Sequence, residues 1–223
     1  MAVTLLVWLT SAADKLTEES KQAMEGALGT QADWVRTNIP TAPKDRESRG
    51  AVLFQQVEDP RVALETSQWE SLDQHNTWLA SEEYKNSSVT VVPHFDFSKL
   101  EYFYLDGSVF AAAGNEAQET PLLKSPVISV SRMTVASAEK EAFIEAWAGF
   151  KGSLETFAKP HVVQGGWRAQ QADQDTDEFV IFCGWPTVEK HLAFGSTEDF
   201  PKYGSPLLSL TQTRDAKHYH RVL

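Results

Sequence analysis

The segment WESLDQH, Trp69 to His75, returns as WPTVEKH, Trp185 to His191, at an offset of 116 residues. The same offset pairs Gly50 with Gly166, Gln55 with Gln171 and Glu82 with Glu198, and sets Ser81-Glu82-Glu83-Tyr84 against Thr197-Glu198-Asp199-Phe200. Tryptophan occurs seven times and histidine six times in 223 residues, so a doubled Trp-x5-His with matching flanks is not a coincidence of composition. A spacing repeated in this way is the signature of two copies of one supersecondary unit. Function is then to be sought in what such a pair encloses.

Each copy reads as strand, helix, strand, strand, helix, strand. In the first, residues 3–10 form a β-rich run, Ser11 or Asp14 is placed to cap a helix, and Leu16, Ala23, Met24, Ala27 and Leu28 form its inward stripe. In the second, residues 127–135 are the strand and Ser137 the expected N-cap. Phe143, Trp147, Phe150, Leu154 and Phe157 then recur on one helical face. Second strands are expected at 50–57 and 166–171, third strands at 62–68 and 178–184, and fourth strands at 100–105 and 217–222. Ser71 and Thr187 open the second helices, which places His75 and His191 about one turn inside them.

This β-α-β-β-α-β order is that of a ferredoxin-like unit, an antiparallel sheet with helices on one face. The other face needs a cover, and a second copy in the same chain supplies one. The expected fold class is therefore α+β, as tandem ferredoxin-like repeats forming an intramolecular dimeric α+β barrel. The halves span 1–106 and 127–223, with a Gly, Ala, Glu and Pro-rich linker over 107–126.

A Trp ending a strand, then Ser or Thr, an acidic residue and His opening a helix, then Phe or Trp and an S/T-E-x-aromatic segment, resembles the antibiotic-biosynthesis monooxygenase-like (ABM) family of dimeric α+β barrels. The chain resembles in particular its tandem-copy members of the fungal type, over nearly its whole length. The resemblance implies a cofactor-independent enzyme of secondary or aromatic metabolism. Such an enzyme acts on a polyketide-like or phenolic small molecule by proton abstraction followed by oxygenation, cyclisation or decarboxylation. A non-catalytic small-molecule-binding or stress-associated barrel and a haem-binding barrel, with His75 or His191 as ligand, stay open beside it, because a fold does not fix a chemistry.

Several residues are candidates for that chemistry. His75 and His191 face the sheet from their helices, where an imidazole titrating near neutrality takes a proton from a phenol or enolisable carbon. Equally, each fixes the packing of Trp69 or Trp185 by bonding the strand end. His218 and His220 alternate onto one face of the last strand, as acid/base or anchoring residues, as a pair of metal ligands, or as ordinary polar positions. Tyr219 and Tyr102, aligned at an offset of 117, are phenols placed to orient a carbonyl or quinone oxygen. Trp167, Trp185 and Phe194 are candidate walls for a flat aromatic ligand, and Trp167 stands against Ala51 where the repeat fails. The second half, with His191, His218, His220, Tyr219 and Trp167, is the expected active half.

Composition excludes other classes. The net charge of −11, with Lys and Arg scattered, leaves no basic footprint for nucleic acid or an anionic membrane. The apolar run at residues 2–10 has no basic flank and is too short to be a membrane span, so no secretory signal is expected. A single Cys183, in the apolar run FVIFCGW, reads as a buried small residue, and the chain reads as cytoplasmic. No nucleotide, flavin or zinc motif is present, so no cofactor and no metal are expected. The partner is a small-molecule aromatic or polyketide substrate, and assembly into a homo-oligomer is left open.

Overall fold

The computed structural model describes residues 1–110, 119–170, 173 and 175–223, and divides into two compact units, Met1–Ala111 with Tyr219–Leu223, and Ala112–His218. The last five residues were expected with the second half. They belong with the first because the end of the final strand pairs there, Phe54 opposite Arg221 and Gln55 opposite His220. Among the described residues no helix is long and apolar enough to cross a membrane.

The first unit contains β1 (Val3–Thr10), α1 (Glu18–Asn38), β2 (Val52–Gln56), β3 (Val62–Trp69), α2 (Leu72–Ala80), α3 (Glu82–Val91) and β4 (Glu101–Asp106). The second contains β5 (Val127–Ala136), α4 (Lys140–Ala158), β6 (Val163–Trp167), β7 (Thr176–Trp185), α5 (Val188–Phe194), α6 (Ser205–Ser209) and most of β8 (Thr211–Arg221). Both are α+β, with antiparallel strands in the order β4-β1-β3-β2 in one and β8-β5-β7-β6 in the other. That order, fourth-first-third-second, is the ferredoxin-like arrangement.

The two units share register as well as order. Val3 lies opposite Trp69 and Val127 opposite Trp185, and the pairing runs without a slip to Thr10–Val62 and Ala136–Thr176. Ser71 Oγ accepts from Gln74 N–H and Thr187 Oγ1 from Lys190 N–H, so both second helices start where the sequence places them. The α4 stripe also packs as read, with Phe143, Phe150 and Leu154 buried against Phe179, Ile181, Cys183 and Trp185. Cys183 is buried, and burial pushes its thiol up, which keeps it protonated.

Other expectations are corrected. The cap of α1 is Thr17, which accepts from Ser20 N–H, rather than Ser11 or Asp14; Leu16 lies before the helix, and Ser11 is occupied with the Lys15 carbonyl. Ser137 opens a 3-10 turn ahead of α4 and donates to Asp177 instead of capping. The supposed linker is packed at both described ends. Gly107 N–H donates to Ala2, Val109 N–H donates to Thr4 Oγ1, and Thr120 exchanges backbone bonds with Pro160 and Val162; residues 111–118 lie outside the described residues.

The largest correction concerns the second strands. Leu53 lies opposite Glu65, whereas Gly165 lies opposite Ile181, so the matching residues are 53 and 165 rather than 50 and 166. The identical glycines had drawn the alignment four residues out of register. β6 is therefore Val163–Trp167 rather than 166–171, and Gln171 is outside the described residues. Trp167 occupies the place of Gln55, not of Ala51. Gly165 is small for a reason, since a Cβ there would lie 2.6 Å from Phe179 Cζ and 3.2 Å from Trp147. Gly165→Ala is accordingly expected to destabilise the protein by about 1–3 kcal/mol, measurable as a lower denaturation midpoint at unchanged slope.

Candidate functional site

In the first unit α1, α2 and α3 stand off the sheet around a cavity of about 250 Å³. Its floor is apolar, from Leu5, Val7 and Leu9 of β1, three residues that alternate onto one face. Into this floor β3 inserts Glu65, flanked across the sheet by Val7 and Leu53. No cation and no hydrogen-bond donor meets its carboxyl among the described residues. Burial alone therefore raises its pKa from the ordinary 4.5 to about 7. The residue as a whole is half-buried, its accessible surface opening on the cavity that it lines.

Ser87, Ser88 and four larger polar side chains share this cavity with Glu65. Gln31 of α1 is 4% exposed, and its Oε1 has no partner. Tyr84 of α3 keeps its proton, because burial and then the Glu65 charge raise its pKa. Tyr102 of β4 is 56% exposed at the mouth. His75 of α2 is buried, with its ring 4.7 Å from Trp69 and Nδ1 2.8 Å from the Tyr104 hydroxyl. Burial lowers the His75 pKa to about 4 and raises that of Tyr104, so at neutral pH the phenol donates to a neutral imidazole. His75 is thus an anchor tying α2 to the fourth strand, and too weak a base to lead the chemistry.

The second unit has its own cavity in the same place, about 340 Å³, floored by Ser129, Ser131 and Met133 of β5. His191 lines it, stacked on Trp185 at 4.8 Å and 21°, with Nδ1 2.7 Å from Nε2 of His218. Trp185 donates to Ser129 Oγ, and Phe194 closes the cavity against Phe150 and Phe200. Where the first unit has Glu65, this one has Ile181.

The candidates named from the sequence thus fall into separate groups. His191, His218, Trp185 and Phe194 come together in the second unit, and His75 and Tyr102 in the first. Tyr219 and His220 belong to the first unit, where the Tyr219 hydroxyl accepts from the Trp8 indole at 3.0 Å. The Tyr102–Tyr219 alignment gives way to a closer match, since Tyr104 and His218 each bond the histidine of their unit. Trp167 lines neither cavity. It packs on Phe143 and Phe179 under the Lys140 ammonium, because its strand register carries it to the far end of β6. Among the described residues no three His, Cys, Asp or Glu side chains converge on a metal position.

No family model matches this sequence, and no curated protein matches it. Solved structures do. A presumed monooxygenase from Lactobacillus acidophilus is 13% identical, with a TM-score of 0.60 over 99% of this chain and 93% of that one. An anthrone oxidase-like protein is 12% identical, with a TM-score of 0.61 over 100% and 92%. A presumed monooxygenase from Fusobacterium nucleatum is 8% identical, with a TM-score of 0.60 over 100% and 93%. At such identity the likeness establishes the fold and leaves the chemistry to the residues.

Ionised Glu65 also has a consequence for stability. A carboxyl whose folded pKa lies above its unfolded value holds its proton more tightly when folded. The contribution of Glu65 to stability is therefore greatest below pH about 4.5, falls as the pH rises, and levels off above about 7. Glu65→Gln removes that fall, so its advantage over the parent protein should grow across this window to at most about 3 kcal/mol. Denaturation at pH 4 and pH 8 measures it, and an advantage independent of pH would contradict the buried carboxyl.

Proposed function

We propose that the first unit is a cofactor-independent enzyme of secondary or aromatic metabolism in which Glu65, rather than a histidine, is the base. The observation that carries this reading is the pairing of an apolar cavity with a carboxyl poised at about 7 and compensated by no cation. A base with that pKa combines a useful ionised fraction with real proton affinity at neutral pH. A flat phenolic or polyketide-like substrate suits the Leu5, Val7 and Leu9 floor, and Gln31 Oε1 accepts a substrate hydroxyl. Glu65 takes a proton from the activated carbon, and protonated Tyr84 donates to the oxygen on which charge collects.

For oxygenation of an activated methylene, O2 accepts the electrons of the resulting carbanion and the substrate peroxide loses water. One oxygen atom ends in the new carbonyl and the other in water. The same proton abstraction serves cyclisation when an internal carbonyl takes the place of O2 as the acceptor; in decarboxylation the carbon–carboxylate bond breaks, CO2 leaves, and protonated Glu65 returns its proton to that carbon. The fold shared with proteins named as a monooxygenase and as anthrone oxidase-like favours the oxygen-dependent form. We also read the chain as a tandem duplicate of the ABM-like kind, the intramolecular counterpart of a dimeric α+β barrel, supported by the shared strand order and register. Haem fits poorly, since cavities of about 250 and 340 Å³ lie at the small end of ligand pockets, about 300–1,000 Å³.

The test is turnover of a panel of tricyclic and bicyclic phenols under O2. Glu65→Gln, folded by circular dichroism, should lose about 100-fold or more in kcat/KM. The parent profile should rise with pH through about 7, where the carboxyl ionises. Full activity in Glu65→Gln, or a profile flat between pH 5 and 8, would remove Glu65 from the mechanism, and no turnover by the parent protein would leave the small-molecule binder as the better reading.

A further inference from the structure

A second cavity of the first unit, about 220 Å³, carries a different chemistry. It is lined by Arg49 and Gln68 together with Val35, Pro43 and Trp69. Arg49 is 4% exposed, and its Nε and Nη2 have no partner; Gln68 Nε2, on the same cavity, has none either. Buried guanidinium donors that meet no acceptor are costly for a fold to hold. Asp45 offsets part of the Arg49 charge from nearby, yet Nε and Nη2 stay unbonded, and the neighbouring carboxylates have hydrogen-bond donors of their own. Asp45 accepts from the Ser48 backbone, and the two Glu70 oxygens on the cavity wall accept from Thr41 and Gln74. Arg36 adds a second positive charge nearby.

The backbone is built around this arrangement. Gly50 follows Arg49 at φ 60°, the left-handed region that favours glycine. A Cβ there would sit 2.9 Å from Gln68 Nε2. Gly50 thereby leaves room for the Gln68 amide on the cavity that Arg49 also lines.

We propose that Arg49 and Gln68 form a binding site for the carboxylate of a small organic acid. Nε and Nη2 are adjacent donors on one edge of the planar guanidinium, the spacing that meets both oxygens of a carboxylate, and the Gln68 amide supplies a third donor. Trp69 and Val35 give the apolar wall for the body of such a ligand, which makes an aromatic or alkyl acid the fitting class. The site is distinct from the Glu65 cavity, although Trp69 packs on His75, which lines that cavity.

Benzoate and inorganic phosphate are the probes, in calorimetric titration and thermal unfolding of the whole protein. Benzoate should bind saturably and raise Tm, phosphate should bind less well, and Arg49→Lys, which keeps the charge without the fork, should bind benzoate about tenfold more weakly. Arg49→Met should lose the benzoate response while unfolding at the parent Tm or above, since it removes buried donors that have no acceptor. Benzoate binding that survives Arg49→Met unchanged, or no benzoate binding at all, overturns the site. A response to phosphate alone overturns the carboxylate assignment. An Arg49→Met protein that unfolds well below the parent marks the arginine as a structural element and overturns the reading of donors kept unmet for a ligand.

Discussion

Each unit is held in shape by one imidazole that bridges a tryptophan at the end of the third strand to the fourth strand. His75 meets Trp69 and Tyr104; His191 meets Trp185 and His218. A buried imidazole costs free energy unless its polar atoms are satisfied, and here the satisfying partner is on the sheet. The contact therefore fixes the second helix to the sheet at one end. Away from that point the helices stand clear of the strands, and the space left beneath them is the cavity. In both units the first-strand residues that floor it are at matching positions, Leu5, Val7 and Leu9 against Ser129, Ser131 and Met133.

The shared frame makes the difference between the units informative. A carboxyl at 65 is expensive in an apolar setting, and the second unit fills the same place with Ile181 at no electrostatic cost. Retaining the carboxyl is a local sacrifice of stability, of the kind that proteins accept where a group must react. The unpartnered Gln31 oxygen adds a second unmet requirement to the same cavity, and Arg49 a third next door. These unmet requirements of the first unit lie around two spaces large enough for ligands.

The architecture was legible because it rests on residues with few alternatives. Trp-x5-His, the Ser71 and Thr187 caps and the α4 aromatic stripe gave both units, the order of their strands and the position of both histidines. The β6 register was misread because two identical glycines outweighed the pattern around them; the hairpins differ in length, and only the strand pairing shows it. The proposed site differs from the expected active half for a related reason. Histidines near neutrality drew attention to 191 and 218, whereas burial, which the sequence does not display, moves His75 out of range and brings Glu65 into it. A usable signal existed, since at the offset of 116 Glu65 stands against Ile181, a charged residue where its copy is apolar. Arg49 left no such trace, because its isolation is a property of its neighbours' bonds.

The protonation of Glu65 is the point on which the functional account turns. A carbon-13 NMR titration of the Glu65 carboxyl, assigned by its loss in Glu65→Gln, reads it directly. The account predicts a midpoint at about 7, set by burial without a compensating charge. A midpoint at the ordinary 4.5 would show a solvated carboxylate, and with it the case for Glu65 as the base would fall.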